Sequence, residues 1–63
     1  MIEYAKTILP KVSFSEELFR KELVKCIGWM NPQELEELKK WCYVKFYHAY
    51  PEIIDKVFRY KAA

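Results

Sequence analysis

The chain has 63 residues, one Gly, three Pro and a formal net charge of +2. That is at most one domain, and a domain this small buries only about 60% of the surface its unfolded chain exposes. Hydrophobic residues make up 52% and aromatic residues 17%, which excludes a disordered linker, and the interspersed charges form no polybasic arm.

Small domains compensate for a thin core with disulfides, a metal, oligomerisation or dense aromatic packing. Eleven aromatic rings and this apolar fraction favour the last two. They are more than a 63-residue core easily hides, so some of this surface is expected to meet a partner, most simply another copy of the chain. A membrane span needs roughly 20 apolar residues. The longest run without a charged residue, Cys26 to Gln33, has eight and contains Gly, Asn and Pro. Glu3 and Lys6 interrupt the N-terminus, so no secretory leader is expected. Two cysteines without a leader suggest reduced thiols and a cytoplasmic location.

In chain order, Ile2, Ala5, Ile8 and Leu9 have helical spacing, and Pro10 is expected to stop that helix before it. An extended arm over residues 1–10 is the competing reading. Ser15 is a good N-cap for the next helix, with Glu16 and Glu17 where the helix dipole favours negative charge. Phe14 and Phe19 are spaced as a hydrophobic staple around it. Ser13 with Glu16 is an alternative capping box two residues earlier. From there Phe19, Leu23, Cys26, Ile27 and Met30 fall in one arc roughly 100° wide. Gly28 can supply a left-handed stop, giving a helix of about 16–28.

Asn31-Pro32-Gln33-Glu34 is the sharpest local signal. Asn is a strong cap, Pro at the first helical position loses no hydrogen bond, and Glu34 can reach back to the cap. A helix of about 32–47 follows, with Leu35, Leu38, Cys42 and Phe46 on one face. The short connection between these two helices predicts an αα-hairpin. Pro51 suits another first position, and Ile53, Ile54, Val57 and Phe58 make the apolar face of a last helix of about 51–60. The fold class read from this pattern is all-α: one domain over residues 1–63, a bundle of three or four short helices around the central hairpin.

Few residues have the makings of chemistry. Cys26, Cys42 and His48 are the only soft metal ligands, with no C-x-x-C pair, and a zinc site needs about four ligands. Both cysteines sit on apolar helix faces, as small buried hydrophobes do. In a regular hairpin turning near residue 30, Cys26 lies opposite a residue near 34, too far from Cys42 for the ~7 Å Cα separation a disulfide needs. His48 has no acid or base neighbour in sequence, and Ser13 and Ser15 are better used as caps. The expectation is a protein with no catalytic, metal or cofactor site.

The informative cluster is Trp41, Tyr43, Val44, Phe46, Tyr47 and Tyr50. Phe46 belongs to the core face, whereas Tyr43, Val44 and Tyr47 lie ~60–160° away from it on the helical wheel. The helix is therefore apolar on two sides over its last turns. Trp41, Tyr43, Val44, Tyr47 and Tyr50 are the candidate partner surface, since interfaces favour Tyr and Trp. The leading expectation is a non-catalytic protein–protein interaction module that self-associates through this second face. The alternative is an accessory protein touching nucleic acid through a weak basic patch, Lys56, Arg59 and Lys61. A helix-turn-helix reader is disfavoured, because Glu34, Glu36 and Glu37 would place carboxylates against phosphates.

Overall fold

The computed structural model describes residues 2–62, without the side chains of residues 60–62. Four helices follow one another: α1 (Ile2–Val12), α2 (Glu16–Ile27), α3 (Pro32–Phe46) and α4 (Pro51–Ala62). They form a bundle of 27 × 21 × 19 Å. The backbones of α1 and α2 approach closely, as do those of α3 and α4, with further contacts of α2 on α4 and α1 on α3.

The chain between α2 and α3 is as short as the sequence predicts, but these two helices are not among the closely packed pairs. They meet through long side chains instead: the rings of Phe19 and Phe46 lie 5.0 Å apart, edge to face. The core is what the periodicity selects. Phe19, Leu23, Cys26, Ile27 and Met30 of the α2 segment, Leu38 and Cys42 of α3, and Ile53, Ile54, Val57 and Phe58 of α4 are all buried. Leu35 and Phe46 pack against them half-buried.

The capping signals act as expected. The Ser15 hydroxyl accepts from the Leu18 N–H at 3.3 Å. The Asn31 side chain accepts from the Glu34 N–H at 2.8 Å, and the Glu34 carboxylate accepts from the Asn31 N–H at 3.1 Å, completing the box.

Three local expectations are corrected. Residues 2–12 are helix, and Pro10 lies inside it rather than after it. A proline inside a helix costs about 3 kcal/mol, through its missing N–H and the clash with the preceding turn. Here only Lys11 and Val12 follow it. Leu9, immediately before it, is fully buried, and burying a Leu is worth about 1.5–3 kcal/mol. Ser13 then closes the end by donating both its N–H, at 3.4 Å, and its hydroxyl, at 2.8 Å, to the Pro10 carbonyl.

The second correction is the staple: Phe14 is 79% exposed while Phe19 is fully buried, so the two do not meet. Phe19 takes aromatic partners from the far end of α3 instead.

The third is Gly28, which has φ −64° and ψ −20°, ordinary right-handed helix. The end of α2 tightens instead: the Trp29 N–H donates to the Cys26 carbonyl at 3.1 Å and the Met30 N–H to the Ile27 carbonyl at 3.3 Å. Such i→i−3 bonds satisfy the last carbonyls without a left-handed residue. A Cβ at Gly28 would stand 3.4 Å from the Lys25 carbonyl oxygen, an ordinary contact. Gly28→Ala is therefore expected to stabilise by about 0.4–1 kcal/mol, because it removes unfolded-chain freedom at a compatible site. A thermal melt showing clear destabilisation would mean that the turn needs a backbone only glycine can adopt.

Candidate functional site

The second apolar side of α3 is partly covered by α4, which meets it at Tyr43 and Tyr47. Tyr43 and Tyr47, one turn apart, stack with centroids 4.6 Å apart and planes at 19°. Both phenols donate to the same carboxylate of α4: Tyr43 to Asp55 Oδ1 at 2.5 Å and Tyr47 to Asp55 Oδ2 at 2.9 Å. The two hydrogen bonds hold the Asp55 carboxyl below the usual carboxylate range, helped by the positive charges of Arg59 and Lys39. The same bonds raise the pKa of both phenols, since each phenol donates best while neutral and its ionisation would face the carboxylate charge.

Tyr50 follows α3 and turns inward. Its ring stacks on Phe19 at 4.8 Å, and its hydroxyl donates to the Ser13 carbonyl at 2.5 Å, tying the connection before α4 to the turn before α2. Trp41 packs edge-on to Phe46 at 5.5 Å and is half-buried.

The candidate surface thus divides. Trp41, Tyr47 and Tyr50 pack partly against the core. Tyr43 is 39% exposed and Val44 is 79% exposed. These two share the outer face of α3 with Glu36, Lys39 and Lys40. Glu37, one residue along, is engaged elsewhere: Lys6 of α1 donates to its carboxylate at 3.0 Å.

Two aromatic residues outside the candidate surface are strongly exposed: Phe14 (79%), expected in a staple, and Trp29 (70%), which sequence reasoning passes over. The wheel carries a signal for Trp29, which lies about 60° off Cys26, outside the core arc. The two lie beyond opposite ends of α2, a helix about 18 Å long, and single exposed apolar residues of this kind are ordinary.

The basic patch does not stand alone. Lys56 and Arg59 are exposed, and the Lys61 side chain lies outside the described residues. Lys56 borders a groove with Glu16, Glu17 and Glu52, and Arg59 lies in the field of Asp55. Carboxylates therefore flank both cations and weaken their attraction for phosphate.

The cysteines are both buried and free. Burial pushes the Cys42 thiol up to about 12, and the charge of Cys26 adds to the rise. Cys26 is raised too, first by burial and then by Glu22. A thiol held protonated is a poor nucleophile and a poor metal ligand. His48 is exposed at the end of α3. Among the described residues, no three His, Cys, Asp or Glu side chains are gathered as a metal would require, and no helix is long and apolar enough to cross a membrane. No known protein-family model, curated protein or solved structure matches the chain.

Proposed function

We propose that this protein is a non-catalytic, cytoplasmic interaction module that self-associates through the outer face of α3, which carries Tyr43 and Val44. The observation that carries the reading is Val44: a β-branched apolar side chain 79% exposed on a regular helix, beside a half-exposed tyrosine. Tyr43 supports it further. Its hydroxyl is already bonded to Asp55 and its ring already stacked on Tyr47. A partner meeting this face therefore immobilises little that is not already fixed, which lowers the entropic cost of binding. Tyrosine is also a residue that interfaces favour.

The face is small, so the association belongs with weak, transient interfaces. The nucleic-acid alternative finds less support, because Lys56 and Arg59 have acidic neighbours.

Sedimentation equilibrium or light scattering across concentration tests the reading, with Val44→Glu as the variant. So exposed a side chain can be replaced at a cost within about 0.5 kcal/mol of fold stability. The wild type is expected to gain mass with concentration, and Val44→Glu to stay monomeric with an unchanged helical circular dichroism spectrum. A wild type that remains monomeric to high micromolar concentration overturns the reading.

A further inference from the structure

The outer face of α3 beside Tyr43 and Val44 carries charge as well as apolar surface, and the order of that charge selects its occupant. Glu36 lines it toward the start of α3, Lys39 and Lys40 lie in the middle, and Tyr43 and Val44 lie toward the end. Among the described residues the one ion pair of the protein is Lys6 with Glu37, so Glu36 and Lys40 are not engaged in another.

Within this stripe Glu36 and Lys40, one turn apart, form an acidic-to-basic pair that is complementary to itself reversed. A copy laid parallel and in register would set Glu36 against Glu36 and Lys40 against Lys40. A copy laid antiparallel by a two-fold axis, the commonest symmetry of homo-oligomers, brings opposite charges together.

Resting on the self-association read above, we infer that this face meets the same helix of a second copy, with the two α3 helices antiparallel about a two-fold axis at the level of Leu38. That register sets Glu36 of each copy against Lys40 of the other. It lays Val44 and Tyr43 of one copy over Pro32 and Gln33 of the other. Pro32 and Gln33 are exposed at the start of the helix, so this end is open to receive them. Each isologous contact occurs twice, so each charge pair counts twice.

The symmetry makes a specific mixing experiment possible. Glu36→Lys alone sets an introduced ammonium against Lys40 twice, and Lys40→Glu alone sets an introduced carboxylate against Glu36 twice. Each is expected to weaken association about tenfold or more, as two surface pairs turn from attraction to repulsion. Mixing the two variants forms a heterodimer in which both contacts join opposite charges, and the double variant Glu36→Lys/Lys40→Glu restores them within one chain.

Analytical ultracentrifugation of each single variant, of their equimolar mixture and of the double variant supplies the readout, with circular dichroism confirming equal helicity. Loss in each single variant with recovery in both the mixture and the double variant is the expected result. Association of the wild type with no recovery in either overturns the antiparallel register and leaves self-association standing. A monomeric wild type removes both. Association that is indifferent to all these charges points to another occupant or another face, and overturns the register as well.

Discussion

Replacing Phe19 by alanine is expected to remove about half or more of the folding stability of the protein. Phe19 is fully buried, and its ring is held on two sides, by Phe46 at 5.0 Å and Tyr50 at 4.8 Å. It is the aromatic junction between α2 and the end of α3, whose backbones do not pack closely. Truncating a buried phenylalanine costs about 3–5 kcal/mol, the sum of lost transfer energy and the cavity left behind. At about 0.05–0.15 kcal/mol per residue, a 63-residue domain holds only about 3–9 kcal/mol in total.

The loss also spreads. Without Phe19, Tyr50 keeps its hydrogen bond to the Ser13 carbonyl but loses the ring beneath it. Thermal melts followed by circular dichroism check this, with Phe19→Leu as the milder companion, expected to retain a cooperative transition at lower temperature. If Phe19→Ala melts within a few degrees of the wild type, the junction does not carry the weight assigned to it.

Phe19 also illustrates where sequence reading succeeds and where it stops. The 3.6-residue period places Phe19 on the core face of its helix, and it does the same for Leu23, Cys26, Leu38, Ile54 and Val57. Periodicity reports which side of one helix is apolar. It carries nothing about which partner fills that side, so the expected staple with Phe14 gave way to Phe46 and Tyr50.

Caps were equally legible, because Ser15, Asn31 and Glu34 satisfy backbone groups within three residues of themselves. Pro10 and Gly28 were misleading for the opposite reason. Their conformations are decided by neighbours, by the burial of Leu9 in one case and by the tightened last turn of α2 in the other.

The two-sided apolar character of α3 was visible from Tyr43, Val44 and Tyr47. That α4 would cover part of it was not, since nothing in the spacing of Asp55 says that two phenols will find it. The same limit applies to the candidate surface: sequence marks five residues, and only the packing of α4 and the inward turn of Tyr50 leave Tyr43 and Val44 as the pair that faces outward.

Asp55 is where the second large effect is expected. Its folded-state pKa is depressed by the hydrogen bonds from Tyr43 and Tyr47. A group depressed in the folded state stabilises above its unfolded pKa, here close to the ordinary 3.8, and loses that contribution as pH falls through the folded value. The phenols have the opposite sign. Their folded pKa values are raised above the ordinary 10.0, so their contribution is complete below pH 10 and is lost as pH rises through the folded values. The docking of α4 on α3 should therefore be strongest on a plateau bounded by acid loss below about pH 4 and alkaline loss above pH 10. Asp55→Ala removes the shared acceptor and leaves the two phenols to water instead of tying α4 to α3. Its melting temperature at neutral pH is expected to fall by several degrees, and its acid limb to flatten relative to the wild type. Tyr43→Phe/Tyr47→Phe keeps both rings and removes both donors, so it should flatten the acid limb and shrink the alkaline one to the part that the buried Cys26 and Cys42 thiols contribute. Melts of the three proteins across pH separate hydrogen bonding from packing. A double phenylalanine variant whose pH profile matches the wild type would show that the carboxylate does not hold α4 through these phenols.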